Sequence, residues 1–232
     1  MKPTNRPRVK ICCISSLEEA ELAIECGASA LGLVSHMPSG PGVIDEDLIP
    51  RIAARIPPPV ATFLLTSKQD CEGIIRQQRA CRTTCIQICD RLTSGEHRDL
   101  KQALPGISIV QVIHVVGRKS IDEAIAATAE VDAILLDSGN QSLAVRELGG
   151  TGRIHDWAIS REIRERSSIP IFLAGGLNAG IVRCAIDEVG PFAVDVCSGV
   201  RTNGKLDELK LRSFFAEIAA CASEPTSART ET

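Results

Sequence analysis

The feature that most constrains this sequence is a regular alternation of strand-like and helix-like segments. Eight apolar, β-rich runs are predicted as strands: residues 8–14, 28–34, 60–65, 83–89, 107–116, 131–136, 169–173 and 192–197. Segments between and after them have apolar residues at helical spacing and predict helices at 17–26, 45–56, 68–79, 93–103, 120–129, 156–166, 178–187 and 206–221. Eight successive βα units predict a closed parallel barrel or a doubly wound open sheet.

Composition supports a parallel sheet that is covered on both faces. Of the 232 residues, 44% are hydrophobic, only 3% are aromatic and none is Tyr, so the core has to be aliphatic. Long aliphatic runs are typical of parallel strands buried on both faces. The length is close to the roughly 250 residues of a single α/β barrel. We therefore expect one domain over residues 1–222 and a disordered polar tail over residues 223–232.

The charge pattern argues against several classes of partner. The net charge is −3, and no basic face with interleaved aromatic residues occurs, so we expect no nucleic-acid partner. The basic N-terminal stretch is not followed by an apolar segment with a small-residue cleavage site, so we expect no signal peptide. No apolar run approaches the roughly 18 residues of a membrane span. We expect a cytoplasmic protein without a membrane partner, as a monomer or a homodimer.

Two predicted helices begin with a capping signal. Ser16 is followed three residues later by Glu19, and Ser120 is followed at the same spacing by Glu123. In such a capping box, the serine hydroxyl accepts from the N–H of the third helical residue. The pattern predicts that Ser16 and Ser120 cap the first and fifth helices.

The chain contains many cysteines. They are Cys12, Cys13, Cys26, Cys71, Cys81, Cys85, Cys89, Cys184, Cys197 and Cys221. Without an export signal, reduced thiols are the expected state. Cys81, Cys85 and Cys89 are spaced by four, but no second ligand cluster completes a tetrahedral set, so we expect no zinc site. Most of these cysteines are expected to be small buried hydrophobic residues.

The glycines cluster late in the chain, and their placement distinguishes the two folds. Residues 149–152 follow the sixth predicted strand, Gly175 and Gly176 follow the seventh, and Ser198 and Gly199 follow the eighth. A dinucleotide-binding doubly wound sheet would have its glycines after the first strand. An α/β barrel commonly builds a phosphate site from the loops after strands seven and eight. The pattern therefore favours a single (β/α)8 barrel with a phosphate site, although such glycines also serve ordinary turns.

Two titratable residues stand at the ends of predicted strands. Cys12 ends the first strand, and Asp137 ends the sixth. Barrel enzymes take catalytic residues from the C-terminal ends of several strands. A thiolate can abstract a proton, and a carboxylic acid can supply one. Cysteine in an apolar strand is more often a core residue, so the pair alone leaves both interpretations open.

Five segments, taken in order along the chain, resemble one enzyme family. They are residues 9–12 (Val-Lys-Ile-Cys), 135–138 (Leu-Leu-Asp-Ser), 149–157 (Gly-Gly-Thr-Gly-Arg-Ile-His-Asp-Trp), 172–178 (Phe-Leu-Ala-Gly-Gly-Leu-Asn) and 194–200 (Val-Asp-Val-Cys-Ser-Gly-Val). The combination is similar to the phosphoribosylanthranilate isomerases of tryptophan biosynthesis and covers nearly the whole chain. The resemblance implies a (β/α)8 barrel without cofactor or metal. It also implies an Amadori rearrangement of N-(5′-phosphoribosyl)anthranilate.

The resemblance also implies roles for individual residues. Cys12 matches the general base that takes the C2′ proton, and Asp137 matches the general acid that protonates the ring oxygen. The residues that match the phosphate-binding loops are Gly152, Gly175, Gly176, Ser198 and Gly199. The further candidate substrate-binding residues are Lys10, Gln87, Asp195 and Arg201.

Several positions depart from the pattern of that family. Cys13 stands where the family has Gly after Lys-Ile-Cys, and Pro41 stands where it has the Arg that pairs with the anthranilate carboxylate. Residues 87–90 read Gln-Ile-Cys-Asp in place of Gln-Leu-His-Gly, which keeps Gln87 and loses the His. Arg201 replaces the acid of Gly-Val-Glu.

These departures concern the end of the site that would hold the aromatic acid. A carboxylate leaving water needs a cationic or multiply hydrogen-bonded partner. Arg201 or His36 could supply it, or each could be an ordinary surface residue. Three hypotheses follow: a phosphoribosylanthranilate isomerase, a related aldose–ketose isomerase for another N-linked phosphoribosyl compound, and a non-catalytic phosphosugar-binding barrel.

Overall fold

The structure is a computed structural model that describes residues 6–140, 143, 145–150 and 152–221. Eight parallel strands close into a barrel in chain order. The strands are β1 Arg8–Ile11, β2 Ala30–Val34, β3 Ala61–Thr66, β4 Cys85–Ile88, β5 Ser108–His114, β6 Ala133–Asp137, β7 Ile171–Leu173 and β8 Ala193–Val196. The predicted (β/α)8 barrel is confirmed, and the predicted tail at 223–232 lies outside the described residues.

A helix follows each strand and covers the outside of the barrel. The helices are α1 Leu17–Glu25, α2 Leu48–Ala53, α3 Cys71–Cys81, α4 His97–Ala103, α5 Lys119–Ala127, α6 Trp157–Arg166, α7 Val182–Val189 and α8 Glu208–Cys221. In the described part of the chain, none of these helices is both long and apolar enough to cross a membrane. All ten cysteines are free thiols.

Pairing of the first and last strands excludes the open sheet. Val9 lies opposite Val194, and Lys10 lies opposite Asp195, in the parallel register of β1 and β8. This seam brings the loop after β1 next to the loop after β8. Residues from the two ends of the chain therefore meet at one place on the barrel rim.

The hydrophobic core has two layers because side chains alternate along each strand. One set of strand residues packs outward against the helices, as Ile11, Leu31 and Leu64 do. The other set fills the barrel interior, where Phe63 and Phe172 pack edge to face with ring centroids 5.8 Å apart. The aromatic pair fills the barrel interior and also lines a pocket at the N-terminal ends of the strands.

The first of the two capping predictions is confirmed. The Ser16 hydroxyl accepts from the Glu19 N–H at 3.2 Å. The Glu19 carboxylate does not return to Ser16, however, because it accepts from the N–H of Ser15 at 3.0 Å and from Arg201. The capping box is therefore incomplete, because the Glu19 carboxylate binds the charged Arg201, which lies far away in sequence.

The second capping prediction is wrong. Helix α5 begins at Lys119 with Arg118 in the capping position, so Ser120 lies inside the helix. The Ser120 hydroxyl donates to the His114 carbonyl and accepts from the Val116 N–H, each at 3.2 Å. Ser120 thus ties the end of β5 to α5 instead of capping the helix.

Candidate active site

A cleft opens at the C-terminal ends of the strands and encloses about 670 Å³ of empty space, including the solvent at its mouth. Of the residues predicted from the sequence, those that line it are Cys12, Gln87, Asp137, Gly152, Gly175, Gly176, Asp195 and Ser198. Two loops border it: the β2α2 loop, residues 35–47, and the described part of the β6α6 loop, residues 138–140, 143, 145–150 and 152–156. The lining draws residues from the C-terminal ends of seven of the eight strands, all except β5. Catalytic groups of α/β barrels usually lie at this face.

Cys12 reaches the interior of the barrel because Gly32 faces it from β2. A Cβ atom on Gly32 would lie 2.9 Å from the Cys12 Sγ and 3.1 Å from the Lys10 Nζ. Both distances are shorter than ordinary carbon contacts. The absence of a side chain at Gly32 therefore leaves the space that the Cys12 thiol and the Lys10 ammonium group occupy. Sequence reasoning missed this role, although a lone glycine inside a strand is a known signal of close approach.

Lys10 is sealed inside the barrel. Its Nζ donates to the Asp195 Oδ1 at 2.9 Å, and its side chain is fully buried. Burial lowers the pKa of Lys10, but the Asp195 carboxylate and the nearby Cys12 raise it by more, so the net pKa lies above the ordinary value. Burial raises the pKa of Asp195, and Lys10 opposes that rise. Each charge offsets part of the desolvation of the other, and the Lys10 ammonium group lies close to Cys12.

Asp137 stands at the end of β6, where its register partner on β5 is His114. Its Oδ1 accepts from the backbone N–H of Ser138 at 2.7 Å. Its Oδ2 faces Gly149, where an added Cβ would lie 2.7 Å away. The carboxyl group is therefore held by one oxygen and turned into the cleft by the other.

Loops from three neighbouring strands converge at one end of the cleft. Gly176 has a φ of +67°, and a Cβ there would lie 2.9 Å from the carbonyl carbon of Arg153. A Cβ on Gly199 would overlap the Leu177 carbonyl, so only glycine allows the loops after β7 and β8 to meet. Within the described chain, the backbone N–H groups of Gly175 and Gly176 make no hydrogen bond. Such N–H groups can receive a phosphate.

A short 3-10 turn, Ser198–Val200, adds a second set of donors at this end. The first residue of the turn, Ser198, lines the cleft beside Gly152. A short helical N-terminus after β8 is a recurrent part of barrel phosphate sites. Gly199 does not line the cleft and supports the loop from behind.

Two thiols meet at the mouth of the cleft. The Sγ atoms of Cys13 and Cys197 lie 2.8 Å apart. Cys13 has a φ of +64°, a conformation that favours glycine. A Cβ on Gly42 of the β2α2 loop would lie 2.7 Å from the Cys13 Sγ. The absence of a side chain at Gly42 therefore leaves room for that of Cys13, which stands where the resembling family has Gly. The side-chain hydrogen bond between Cys197 and Cys13 lowers the pKa of Cys197, and Arg201 lowers it further.

Gln87 and Cys89 face the cleft from β4. The Gln87 Oε1 is buried and has no partner in the described part of the chain. Burial raises the pKa of the Cys89 thiol, so this group is uncharged at neutral pH. Cys89 therefore offers a neutral wall, and Gln87 offers an acceptor, beside Cys12.

Arg201 is not part of the cleft lining. Its guanidinium donates to both Glu19 carboxylate oxygens, at 2.9 and 3.1 Å, and to the Cys13 carbonyl at 2.6 Å. Burial would raise the pKa of Glu19, but hydrogen bonds from Arg201 and from the backbone N–H groups of Leu206 and Ser15 lower it below its ordinary value. The residue predicted to touch substrate instead clamps the loop that carries Cys13. His36, the other candidate cation, is exposed and also lies outside the lining.

The described residues contain no group of three or more His, Cys, Asp or Glu side chains arranged to hold a metal ion. The three cysteines spaced by four separate accordingly. Cys81 ends α3 on the outside of the barrel, whereas Cys85 and Cys89 belong to the interior layer.

A closed eight-stranded parallel barrel with acid and thiol groups at its C-terminal face defines a (β/α)8-barrel enzyme. Comparison with known proteins identifies the family. Residues 9–217 match the family model of N-(5′-phosphoribosyl)anthranilate isomerase. The chain belongs to this family of isomerases.

Individual relatives agree with the family match. N-(5′-phosphoribosyl)anthranilate isomerase 2 of Methanosarcina mazei is 36% identical over 209 residues, which is 89% of this chain and 92% of the relative. The solved phosphoribosyl anthranilate isomerase of Thermotoga maritima superposes with a TM-score of 0.76 at 30% identity, covering 92% of this chain and 99% of that one.

A further solved phosphoribosyl anthranilate isomerase is in complex with reduced 1-(o-carboxyphenylamino)-1-deoxyribulose 5-phosphate. It has a TM-score of 0.73 and 29% identity, with 92% of this chain and 99% of that chain covered.

Proposed function

We propose that this chain converts N-(5′-phosphoribosyl)anthranilate to 1-(o-carboxyphenylamino)-1-deoxyribulose 5-phosphate, with Cys12 as general base and Asp137 as general acid. The observation that carries the proposal is the shared cleft, which both residues line together with glycine loops at one end. The family match supports the same reaction.

The two side chains can perform the proton transfers that the rearrangement needs. Asp137 donates a proton to the ribose ring oxygen as the C1′–O bond breaks, which leaves an iminium at C1′. The Cys12 thiolate then removes the C2′ proton, and the electron pair moves to form the enolamine, which tautomerises to the ketone. The Lys10 ammonium beneath Cys12 offsets the negative charge on the thiolate before the transfer.

The glycine loops suit the phosphate of this substrate. Backbone donors of Gly175 and Gly176, with Ser198 opposite, would hold the dianion at a fixed distance from the reacting carbons. A substrate held by its phosphate reacts from one orientation, which lowers the entropic part of the barrier.

Loss of substrate fluorescence during turnover tests the proposal. The wild type should convert phosphoribosylanthranilate, and Cys12→Ala and Asp137→Asn should each lose a factor of about 100 to 10,000 in kcat. Cys184→Ala and Asp187→Asn are matched controls on the exposed face of α7 and should retain full activity. An inactive wild type, or a Cys12→Ala variant with undiminished kcat, would refute the proposal.

A second candidate function follows from Pro41. Because no arginine stands at that position of the β2α2 loop, the aglycone could be a group without a carboxylate, and the enzyme would then be a related aldose–ketose isomerase. Turnover of an uncharged N-linked phosphoribosyl compound without turnover of phosphoribosylanthranilate would favour this alternative. Phosphate binding without turnover of either compound would favour a non-catalytic barrel.

A further inference from the structure

The anthranilate carboxylate of the proposed substrate needs a cationic partner near the β2α2 loop. The inference below rests on the proposed function, because it concerns the group that binds this carboxylate. Lys10 is neutralised inside the barrel by Asp195, and Arg201 is occupied by Glu19 and backbone carbonyls. Arg153, on the phosphate side, binds Glu147. Lys10 and Arg201 are buried with these partners, and Arg153 lies against Gly176 at the phosphate end. A cation beside the β2α2 loop therefore has to be sought elsewhere on the rim of the cleft.

Arg146 lies on the β6α6 loop directly beside the β2α2 loop. Its backbone carbonyl accepts from the Ser39 hydroxyl at 2.7 Å. Neither Arg146 nor Asp90 is part of the cleft lining, so both lie at its rim. Ser39, two residues before Pro41, and Leu148, two residues after Arg146, do line the cleft. The backbone of Arg146 is therefore adjacent to the segment in which the resembling family carries its arginine.

The Arg146 guanidinium is held over the end of β4. Its Nη1 donates to the Asp90 carboxylate, whose side chain is only 3% exposed. Asp90 directly follows Cys89, which lines the cleft. The side chain of Arg146 is 37% exposed, and Asp90 is the side chain it binds within the described chain. A guanidinium has further N–H donors on its other edge, so it can accept a second carboxylate.

This chain has Asp90 and Pro41 where the resembling family has Gly and Arg. The loss of a cation on one loop is thus accompanied by the gain of a buried carboxylate that positions another. We propose that Arg146 binds the carboxylate of the aglycone and so determines specificity for the anthranilate group. Asp90 is a positioning residue, because its carboxylate orients the Arg146 guanidinium.

A pair of substrates separates this role from a structural one. Arg146→Gln should raise KM for phosphoribosylanthranilate roughly 10- to 100-fold, the range expected when a charge-assisted hydrogen bond is lost, with kcat within a few-fold. Turnover of N-(5′-phosphoribosyl)aniline, which lacks the carboxylate, should change by less than about twofold by the same reasoning. Asp90→Asn should raise KM for the carboxylate substrate by a smaller factor.

Arg91→Gln is the matched control, because Arg91 is an exposed neighbour that binds Glu123 outside the cleft. It should leave both substrates unaffected. Equal losses on the two substrates, or no loss with Arg146→Gln, would overturn the assignment.

Calorimetric binding of reduced 1-(o-carboxyphenylamino)-1-deoxyribulose 5-phosphate distinguishes this inference from the proposed function, since it needs no turnover. Arg146→Gln should weaken binding by about the same roughly 10- to 100-fold factor, even if the wild type fails to isomerise phosphoribosylanthranilate. Unchanged affinity in that variant would overturn the role of Arg146 while leaving the proposed reaction standing. Failure of the wild type to bind the compound would also overturn it.

Discussion

The Cys13 and Cys197 Sγ atoms lie 2.8 Å apart across the seam between β1 and β8, at the mouth of the cleft. Cys13 directly follows the proposed general base, and Cys197 directly precedes the turn that lines the phosphate end. Their hydrogen bond links the segment that carries the proposed general base, Cys12, to the turn at the phosphate end of the cleft.

This contact predicts an unusual pH dependence of alkylation at Cys197. Because the hydrogen bond with Cys13 lowers the pKa of Cys197, the Cys197 thiolate persists to lower pH than it would without Cys13. Cys13→Gly removes this hydrogen-bond partner, so the midpoint for iodoacetamide labelling of Cys197 should move to higher pH. Mass spectrometry of the Cys197 peptide measures it, and Cys184→Ser should not move it. An identical midpoint in wild type and Cys13→Gly would contradict the proposed effect of Cys13 on the pKa of Cys197.

The Lys10–Asp195 pair predicts a large stability cost for removal of one partner. Asp195→Asn leaves a fully buried ammonium without a carboxylate, which should reduce the free energy of unfolding by about 3–5 kcal/mol. The double variant Lys10→Met/Asp195→Leu removes both charges and should be destabilised less than Asp195→Asn. Urea denaturation measures each value. A double variant less stable than Asp195→Asn would show that the pair itself stabilises the fold.

Gly32→Ala tests the gap that admits Cys12. The added methyl would lie 2.9 Å from the Cys12 Sγ, so the thiol has to move. A displacement on the order of 1 Å at a reacting group lowers kcat roughly 100-fold. Inorganic phosphate should bind with unchanged affinity, because its proposed loops lie after β6, β7 and β8. Full activity in Gly32→Ala would mean that Cys12 does not need its present position.

The Glu19–Arg201 clamp predicts a pH-dependent stability difference. The folded pKa of Glu19 is lowered, so its contribution is present above the pKa of the unfolded chain and is lost as pH falls through the folded value. Glu19→Gln should therefore cost about 2 kcal/mol at pH 7 and progressively less in acid. Urea unfolding at neutral and acidic pH measures this. A cost that is independent of pH would rule out a charged clamp.

The phosphate end predicts an anion site. Crystals grown with sulfate should hold an anion between the loops of Gly175–Gly176 and Ser198–Gly199, and Gly176→Ala should weaken it because that residue has a φ of +67°. KM for the phosphorylated substrate should rise at least about tenfold, the effect of losing a charge-assisted hydrogen bond. A blocked site in such crystals would count against any sugar-phosphate ligand.

The barrel could be predicted from the sequence because its signals are local. Aliphatic runs, helical spacing and late glycine clusters each reside in short segments, and together they distinguish a barrel from an open sheet. Cys12 and Asp137 could be placed for the same reason, since the end of a strand is visible in the sequence.

Contacts that join distant segments could not be predicted. Glu19 matches a capping box, yet Arg201 lies 182 residues away and takes its carboxylate. Arg146 belongs to a polar loop without any local signal, and only the folded chain brings it to Ser39 and Asp90. The resembling family indicated that a cation was needed, but spacing along the chain could not identify which one.

The ion pair between Lys10 and Asp195 joins residues 185 positions apart. On a ribosome that adds about 5–20 residues per second, Lys10 is made roughly 10–40 s before its counterion exists. During that interval Lys10 can remain hydrated, but it cannot be buried at low cost because Asp195 is not yet present. A chain that stops before β8 lacks both Asp195 and the strand that pairs with β1, so it can neither form the ion pair nor close the barrel.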